Sequence, residues 1–134
     1  MLKFNKNQLI LAAVLILAGG SAQAACYVDN FGYRWNIKLT SSTPAADFYS
    51  GTMTNSSGTF GGSAIFNKDT NASSIGSNFG TSFHYNLKWS FNGATGTWIN
   101  QDTGGGNGKV TAFVPCGATA TARVADTSDP KPGE

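Results

Sequence analysis

The sequence has few charged residues, and this scarcity excludes several classes of protein. Charged side chains make up 12% of the 134 residues, about half the usual ~25%. Such a composition excludes a coiled coil, a long solvated helix and a charge-driven disordered chain. Nine basic residues stand against seven acidic ones, so the chain lacks the basic stripe of a nucleic-acid-binding protein. We therefore expect no nucleic-acid partner.

Histidine and cysteine are also scarce, which limits the chemistry available to the chain. One histidine and two cysteines are too few for a zinc module of the Cys/His type. His84 lies near Ser82 on the polar face of a predicted strand, and no carboxylate in that strand could orient its ring. We expect no enzymatic activity, no catalytic residue, no metal site and no cofactor.

Residues 1–24 have the pattern of a cleaved secretory signal peptide. Lys3 and Lys6 form a positive start, residues 9–18 form an apolar run, and Ala24 ends a small-residue cleavage site. The run is about ten residues long, whereas a membrane-spanning helix needs about 20. The pattern predicts an exported protein, periplasmic or secreted, with no membrane span. Loss of the two lysines would leave seven basic against seven acidic residues, a neutral domain.

The two cysteines, Cys26 and Cys116, lie near opposite ends of the predicted domain. In a small exported chain such a pair most often forms a disulfide, and this one would span 90 residues of sequence. The chain-entropy model assigns a bridge of that span about 4–5 kcal/mol of stability. Lipidation of Cys26 stays open as an alternative, because small residues precede it.

Strict alternation of apolar and polar residues predicts β-strands along the mature chain. In the segment Phe31–Leu39 every odd position is large and apolar, and Phe79–Phe91 repeats the pattern with one polar exception. Shorter strands are predicted over residues 48–54, 58–66, 94–100, 109–116 and 118–124. Asn55–Ser57 and Asn92–Gly93 are typical hairpin turns.

These elements predict one all-β domain over residues 25–124. We expect a single small antiparallel meander of six to eight strands, closed as a barrel or folded as a sandwich, with a disulfide between its N- and C-terminal ends. Residues 125–134 are rich in proline and charge, and we expect a disordered tail there. The sequence leaves open whether the interior is filled or hollow.

Aromatic side chains are the main resource for recognition. Four of them share the apolar faces of the long strands: Tyr33, Trp35, Tyr85 and Trp89. These rings either fill the core or line a cavity for a small ligand. Tyr49 and Trp98 alternate with Phe48 and Ile99. We predict that Tyr49 and Trp98 occupy the exposed face and form a surface for recognition.

The segment Gly96-Thr97-Trp98-Ile99-Asn100 resembles the first-strand Gly-x-Trp-x-Asn segment of avidin-type biotin binders. The strand Tyr85–Phe91 is also similar to strands of that family. The resemblance covers about a dozen residues, and in this chain the motif lies in a late strand. It implies one alternative function, a small-ligand carrier barrel of avidin-like or lipocalin-like type.

We expect an exported, non-catalytic protein that binds an envelope or extracellular protein or polymer. Because the mature domain is neutral, recognition is expected to rest on shape and aromatic contacts rather than on charge. The carrier barrel is one alternative, and a structural subunit that assembles through its sheet edges is another. The identity of the partner and the oligomeric state are left open.

Overall fold

The computed structural model describes residues 25–102, 105–117 and 131–134. The predicted signal peptide, the strand predicted over 118–124 and the first part of the predicted tail lie outside these ranges. Within them the regular elements are β-strands. No helix in the described ranges is long and apolar enough to cross a membrane.

The fold is one antiparallel sheet whose strands follow one another in sequence. The strands are β1 (Ala25–Asp29), β2 (Arg34–Ser42), β3 (Ala46–Asn55), β4 (Gly58–Asn67), β5 (Ala72–Ser77), β6 (Phe83–Ser90), β7 (Gly93–Asn100), β8 (Asn107–Val110) and β9 (Phe113–Pro115). Each strand from β1 to β7 pairs with its neighbours in sequence, β8 pairs with β7, and β9 pairs with β1. The predicted all-β antiparallel meander is confirmed, with nine strands rather than six to eight.

A bend between β8 and β9 brings the sheet close to a complete barrel. The Oδ1 atom of Asn30 accepts hydrogen bonds from the backbone nitrogens of Thr111 (2.9 Å) and Ala112 (3.3 Å). The backbone nitrogen of Asn30 in turn donates to the backbone oxygen of Ala112 at 3.2 Å. The bend moves the chain from pairing with β7 to pairing with β1, so two short strands stand where the alternation predicts one. The fold is therefore a nearly closed barrel and not a two-sheet sandwich.

The interior of the barrel is packed with aromatic side chains. The largest fully buried ones are Trp35, Trp98, Tyr85, Phe83 and Phe113. Side chains alternate between the two faces of each strand, so odd positions of β2 and β6 point inward while Arg34, Asn36 and Lys38 point to solvent. Burial of these rings is the dominant source of stability for so small a domain.

Both predicted hairpins are present, and they define the two ends of the barrel. Asn55 accepts a hydrogen bond from the Ser57 nitrogen at 2.8 Å, and Ser90 pairs with Gly93 around a two-residue turn at 91–92. Because the strands are antiparallel, successive turns lie at opposite ends. We name the end formed by turns 30–33, 56–57 and 78–82, together with the described residues 101–102 and 105–106, the tail mouth, and the opposite end the disulfide mouth.

The predicted disulfide joins Cys26 to Cys116 at the disulfide mouth. The two Cα atoms are 5.4 Å apart, and the Cys116 nitrogen donates to the Cys26 oxygen at 2.9 Å. The disulfide links β1 to the residue that follows β9. The pairing of β1 with β9 is the one that brings the sheet close to a complete barrel.

Candidate functional site

The four aromatic residues predicted to bind a ligand lie inside the barrel and contact other rings. Tyr33, Trp35, Tyr85 and Trp89 are 4%, 0%, 0% and 8% exposed. The ring centroids of Trp35 and Tyr85 are 5.4 Å apart, and the Phe113 ring lies 5.9 Å from Trp89. These distances and orientations are those of packed aromatic pairs. The rings fill the interior at this level rather than bordering open space.

The predicted exposure of Tyr49 and Trp98 is wrong. The two side chains are 4% and 1% exposed, whereas Ile99, beside Trp98 in sequence, is 42% exposed. The reason is strand register: Trp98 pairs with Tyr85, and Tyr49 pairs with Leu39. Directly paired residues project from the same face of a sheet, so both rings point into the barrel and form no recognition surface.

Asp29 is a buried carboxylate that organises the interior next to the tail mouth. Its Oδ1 atom accepts hydrogen bonds from the backbone nitrogens of Phe31 (2.9 Å) and Tyr33 (3.0 Å). Its Oδ2 atom accepts from Trp35 Nε1 (3.0 Å) and from the Tyr85 hydroxyl (2.6 Å). One side chain thus shapes the β1–β2 turn and orients two rings of the core.

Burial dominates the electrostatics of Asp29. The residue is 6% exposed, and desolvation raises its pKa to about 6, although its four hydrogen-bond donors act in the opposite direction. Burial and the adjacent carboxylate likewise raise the pKa of the Tyr85 hydroxyl. The pair is a closed structural unit, because every acceptor position of the carboxylate faces a protein donor.

The tail mouth is occupied by the last four residues, which departs from the disordered tail expected over 125–134. Pro132 is fully buried, and its carbonyl oxygen accepts a hydrogen bond of 2.8 Å from the Tyr33 hydroxyl. Gly133 lies against the ring of Phe79. The expectation is therefore wrong for residues 131–134, and residues 125–130 lie outside the described ranges.

Asn100, at the end of β7, binds the backbone of this segment at two points. Its Oδ1 atom accepts from the Gly133 nitrogen at 2.8 Å, and its Nδ2 atom donates to the Glu134 oxygen at 3.2 Å. The Thr81 nitrogen adds a third contact by donating to the Gly133 oxygen at 3.2 Å. These three hydrogen bonds are made to backbone atoms of the segment. They involve neither the Lys131 nor the Glu134 side chain.

A second buried carboxylate, Asp47, lies at the disulfide mouth. It is 0% exposed, and its Oδ1 atom forms a 3.1 Å ion pair with Lys68 and accepts a hydrogen bond from the Ser42 hydroxyl. Lys68 also donates to the Thr43 oxygen at 2.8 Å. The cluster ties the β2–β3 turn to the end of β4. Within the described part of the chain, neither Asp47 Oδ2 nor the Tyr49 hydroxyl has a hydrogen-bond partner.

The outer wall of the barrel carries a groove that follows β5. Strand β5 presents only small side chains outward, with Ser74 and Gly76 at its centre. Longer side chains rise beside it at Ile65 of β4 and along β6. We define the β5 groove by the outward residues of these three strands: Ser63, Ile65, Ser74, Gly76, His84 and Asn86. Two shallow, open concave regions of about 540 Å³ and 590 Å³ share Ile65 and Ser74, so the groove is shallow and runs along the length of β5.

The groove is lined mainly by neutral groups that form hydrogen bonds. Hydroxyl and amide side chains alternate with backbone, and the described lining includes no Asp or Glu. Its ionisable members are His84, which contacts the Gln101 amide through Nδ1 at 3.1 Å, and Lys88, which donates to the Thr70 oxygen. Ile65, 46% exposed, provides one apolar contact.

Sequence reasoning missed the polar residues that point inward, although the alternation contains a signal for them. Asp29 continues the odd-numbered series of Tyr33 and Trp35, and Asn100 continues the even-numbered series of Trp98. A polar residue in a buried series must find partners inside the protein. Neither series predicts what those partners are, because they come from distant strands and from the docked segment.

Comparison with family models, with curated proteins and with solved structures finds no match for this chain. The resemblance to avidin-type binders therefore stays confined to residues 96–100 and 85–91, and the tryptophan of the first segment, Trp98, packs inside the barrel.

Proposed function

We propose that the chain is an exported, non-catalytic binding protein that recognises a neutral, hydroxyl-rich polymer of the envelope or extracellular space along the β5 groove. The observation that carries the proposal is the form of β5 itself. Its backbone is hydrogen-bonded to β4 on one side and to β6 on the other, while small side chains leave a trough above it. An extended chain fits this trough and meets side chains rather than a free strand edge.

The chemistry of the groove favours a polysaccharide strand over a peptide. A peptide that binds to a sheet commonly adds a strand at an open edge, and β5 has no open edge. The groove offers hydroxyl and amide groups from Ser63, Ser74 and Asn86, which suit a partner dense in hydroxyls. The described lining contains one cation, Lys88, whose ammonium group is bound to the Thr70 oxygen, so a highly charged polymer would gain little here from electrostatic steering.

The absence of a carboxylate from the described groove lining supports the non-catalytic part of the proposal. A histidine that acts as a general base is usually oriented by a third group, most often a carboxylate. His84 instead contacts the neutral amide of Gln101. The groove is thus equipped to bind a polymer and lacks the residue pattern that cleaves one.

Two alternative functions fit the geometry less well. A small-ligand carrier needs interior space, and the residues that would line it are packed against one another. Assembly through sheet edges needs long unpaired strands, whereas the edge strands β8 and β9 have four and three residues. Export is supported by the predicted signal peptide together with the disulfide, a bond typical of oxidising compartments.

The experiment is a retention assay with neutral polysaccharides. The protein is mixed with insoluble cellulose or chitin, or run through gels that contain soluble neutral glucans, and the bound fraction is measured. Ser74→Trp fills the groove without touching the core, and we expect at least tenfold weaker retention. Asn36→Trp, on the exposed face of β2, is the matched control and should bind like the native chain. Absence of retention by the native chain, or equal retention by the Ser74 variant, would refute the proposal.

A further inference from the structure

We infer that the tail mouth is a peptide-binding site for a segment that turns at Pro-Gly, and that residues 131–134 occupy it as an internal ligand; the Glu134 nitrogen donates to the Lys131 oxygen at 3.3 Å and closes the turn. This site is separate from the β5 groove, which lies on the outer wall, so the inference does not depend on the polymer proposed above. It rests on three features of the docked segment: a buried proline, an obligatory glycine and a clamp on the backbone.

The proline is buried at the tail mouth, beside an aromatic cluster formed by Tyr33, Phe79 and Phe60. Pro132 is fully buried, and its carbonyl oxygen accepts a hydrogen bond from the Tyr33 hydroxyl. The Tyr33 ring lies 6.1 Å from the Phe79 ring. The Phe60 ring packs on Phe79 at 4.7 Å. A proline ring contributes apolar contact area at a low entropic cost, because its φ angle is already restricted.

The position after the proline excludes residues other than glycine for two independent reasons. Gly133 has a φ of +85°, a conformation that residues with a Cβ atom rarely adopt. A Cβ at this position would also lie 2.6 Å from Phe79 Cδ2 and 2.7 Å from the Phe79 oxygen. Across the interface, a Cβ on Gly80 would overlap the Gly133 oxygen. The site therefore selects Pro-Gly by shape.

The backbone clamp fixes the direction and register of the bound segment. Asn100 pairs with the Gly133 nitrogen and the Glu134 oxygen, and Thr81 pairs with the Gly133 oxygen. These donors and acceptors belong to β7 and to the β5–β6 turn, and the Tyr33 hydroxyl belongs to the β1–β2 turn. Three separate parts of the barrel thus converge on four residues, which is the arrangement of a preformed peptide site.

The tether of the internal ligand permits exchange. Gly117 follows β9 at the disulfide mouth, whereas Lys131 lies at the tail mouth, 14 residues later. A chain of that length reaches at most about 46–50 Å, while the longest strand has ten residues and extends at most about 34 Å. The sequence separation therefore exceeds what is needed to span the barrel wall, so chain length does not hold the segment in the mouth. A free peptide of the same chemistry then competes against an effective concentration in the millimolar range.

The test uses the full chain with one substitution in its tail and a fluorescently labelled peptide, Asp-Pro-Lys-Pro-Gly-Glu. Gly133→Val should release the internal ligand without touching a strand, and thermal unfolding verifies that the barrel stays folded. By fluorescence anisotropy, we expect the variant to bind the peptide at least tenfold more tightly than the native chain does. Lys131→Ala keeps Pro-Gly intact and is the matched control, which should behave like the native chain.

A second peptide with alanine in place of the glycine tests selectivity and should bind the Gly133 variant at least tenfold more weakly. The amide resonance of Thr81 and the side-chain amide of Asn100 should shift in the variant and return when the Pro-Gly peptide is added. Failure of the variant to bind the peptide at millimolar concentration, or equal binding of the two peptides, overturns the peptide site. Equal affinity of the native chain and the variant overturns the internal ligand.

Discussion

Asp29 is a carboxylate enclosed by aromatic side chains, and its protonation couples the stability of the barrel to pH. Burial raises its pKa from an ordinary value near 3.8 to about 6. A group whose pKa is higher in the folded protein stabilises the fold in its protonated form. This contribution is complete below about pH 4, since the unfolded carboxyl titrates there, and it is lost as the pH rises through 6.

The first prediction concerns the pH dependence of unfolding. A rise of about two in pKa corresponds to about 3 kcal/mol. Between pH 4 and 7.5 the unfolding free energy of the native chain should therefore fall, and the fall should be about 3 kcal/mol larger than in the Asp29→Asn variant. The variant should be less stable at pH 4, because an amide nitrogen cannot accept the Trp35 hydrogen bond. Urea titrations across this pH range measure both effects. Asp69→Asn, in an exposed turn, is the control; the same pH slope in Asp29→Asn as in the native chain would contradict the assignment.

The direction of Trp98 could have been predicted from the sequence by a fuller argument. The hairpin between β6 and β7 has either Phe91–Asn92 or Asn92–Gly93 at its centre, and either register places Trp98 opposite an inward residue, Tyr85 or Leu87. Pairing across a tight turn therefore decides the face where alternation within one strand cannot. For Tyr49 the same argument fails, because a β-bulge shifts the register between Leu39 and Ser41 and nothing in the residue types predicts it.

At the scale of the element, β7 depends on a glycine where its backbone lies very close to that of β6. Gly96 pairs with Leu87, and a Cβ at this position would overlap the backbone oxygen of Asn86. Glycine within a strand commonly marks such a close approach of two backbones.

The second prediction is that Gly96→Ala destabilises the barrel through this clash. An added Cβ must displace backbone rather than a flexible side chain, and overpacking of this kind costs about 1–3 kcal/mol. Thr95→Ala, at an exposed position on the same strand, is expected to change the unfolding free energy by less than about 0.5 kcal/mol. Urea unfolding of both variants gives the comparison; equal stability of the two would show that the β6–β7 pair absorbs the extra atom without strain.

Alternation of apolar and polar residues does not predict strand β5. Two of its three inward residues are serines, Ser73 and Ser77, so the apolar signal is missing. Their hydroxyls are satisfied inside the barrel: Ser73 accepts from Trp89 Nε1, and Ser77 donates to the Gly61 oxygen at 2.7 Å. The strand exists because its neighbours provide partners, and that information lies in the tertiary fold rather than in the segment.

At the scale of the whole molecule, the disulfide secures the closure of the barrel. Strand β1 is hydrogen-bonded to both β2 and β9, and the bridge from Cys26 to Cys116 encloses 90 residues of sequence separation. A cross-link of that span removes many conformations from the unfolded chain, which stabilises the folded one. This part of the architecture was predicted from the sequence, because cysteine number and placement fixed the pairing.

The third prediction is the loss of stability without this bridge. The double variant Cys26→Ser/Cys116→Ser should have an unfolding free energy lower by about 4–5 kcal/mol. Urea denaturation of the oxidised native chain and the double variant measures the difference, and the reduced native chain should match the variant. A difference below about 1 kcal/mol would mean that the unfolded chain stays compact without the cross-link.

The sequence predicts the all-β class, the meander and the disulfide, but it does not predict the groove on the outer wall. Aromatic residues dominate the composition available for binding, and the barrel uses them as core. The residues on the outer wall along β5 are mostly small and uncharged, with Ser74 and Gly76 at the centre of the groove. The groove depends on which strands lie side by side, and this adjacency is clear only once the sheet is closed.

The most direct test of a solid barrel that binds on its outer wall is an NMR titration with neutral hexasaccharides of glucose and of N-acetylglucosamine. Backbone amides and side-chain indoles are followed in one spectrum, so the wall and the interior are observed together. We expect at least one sugar to shift the amide resonances of Ser74, Gly76 and His84 while the Trp35 indole resonance stays in place. Shifts concentrated on the Trp35 indole, or no shift along β5 with either sugar, would contradict this expectation.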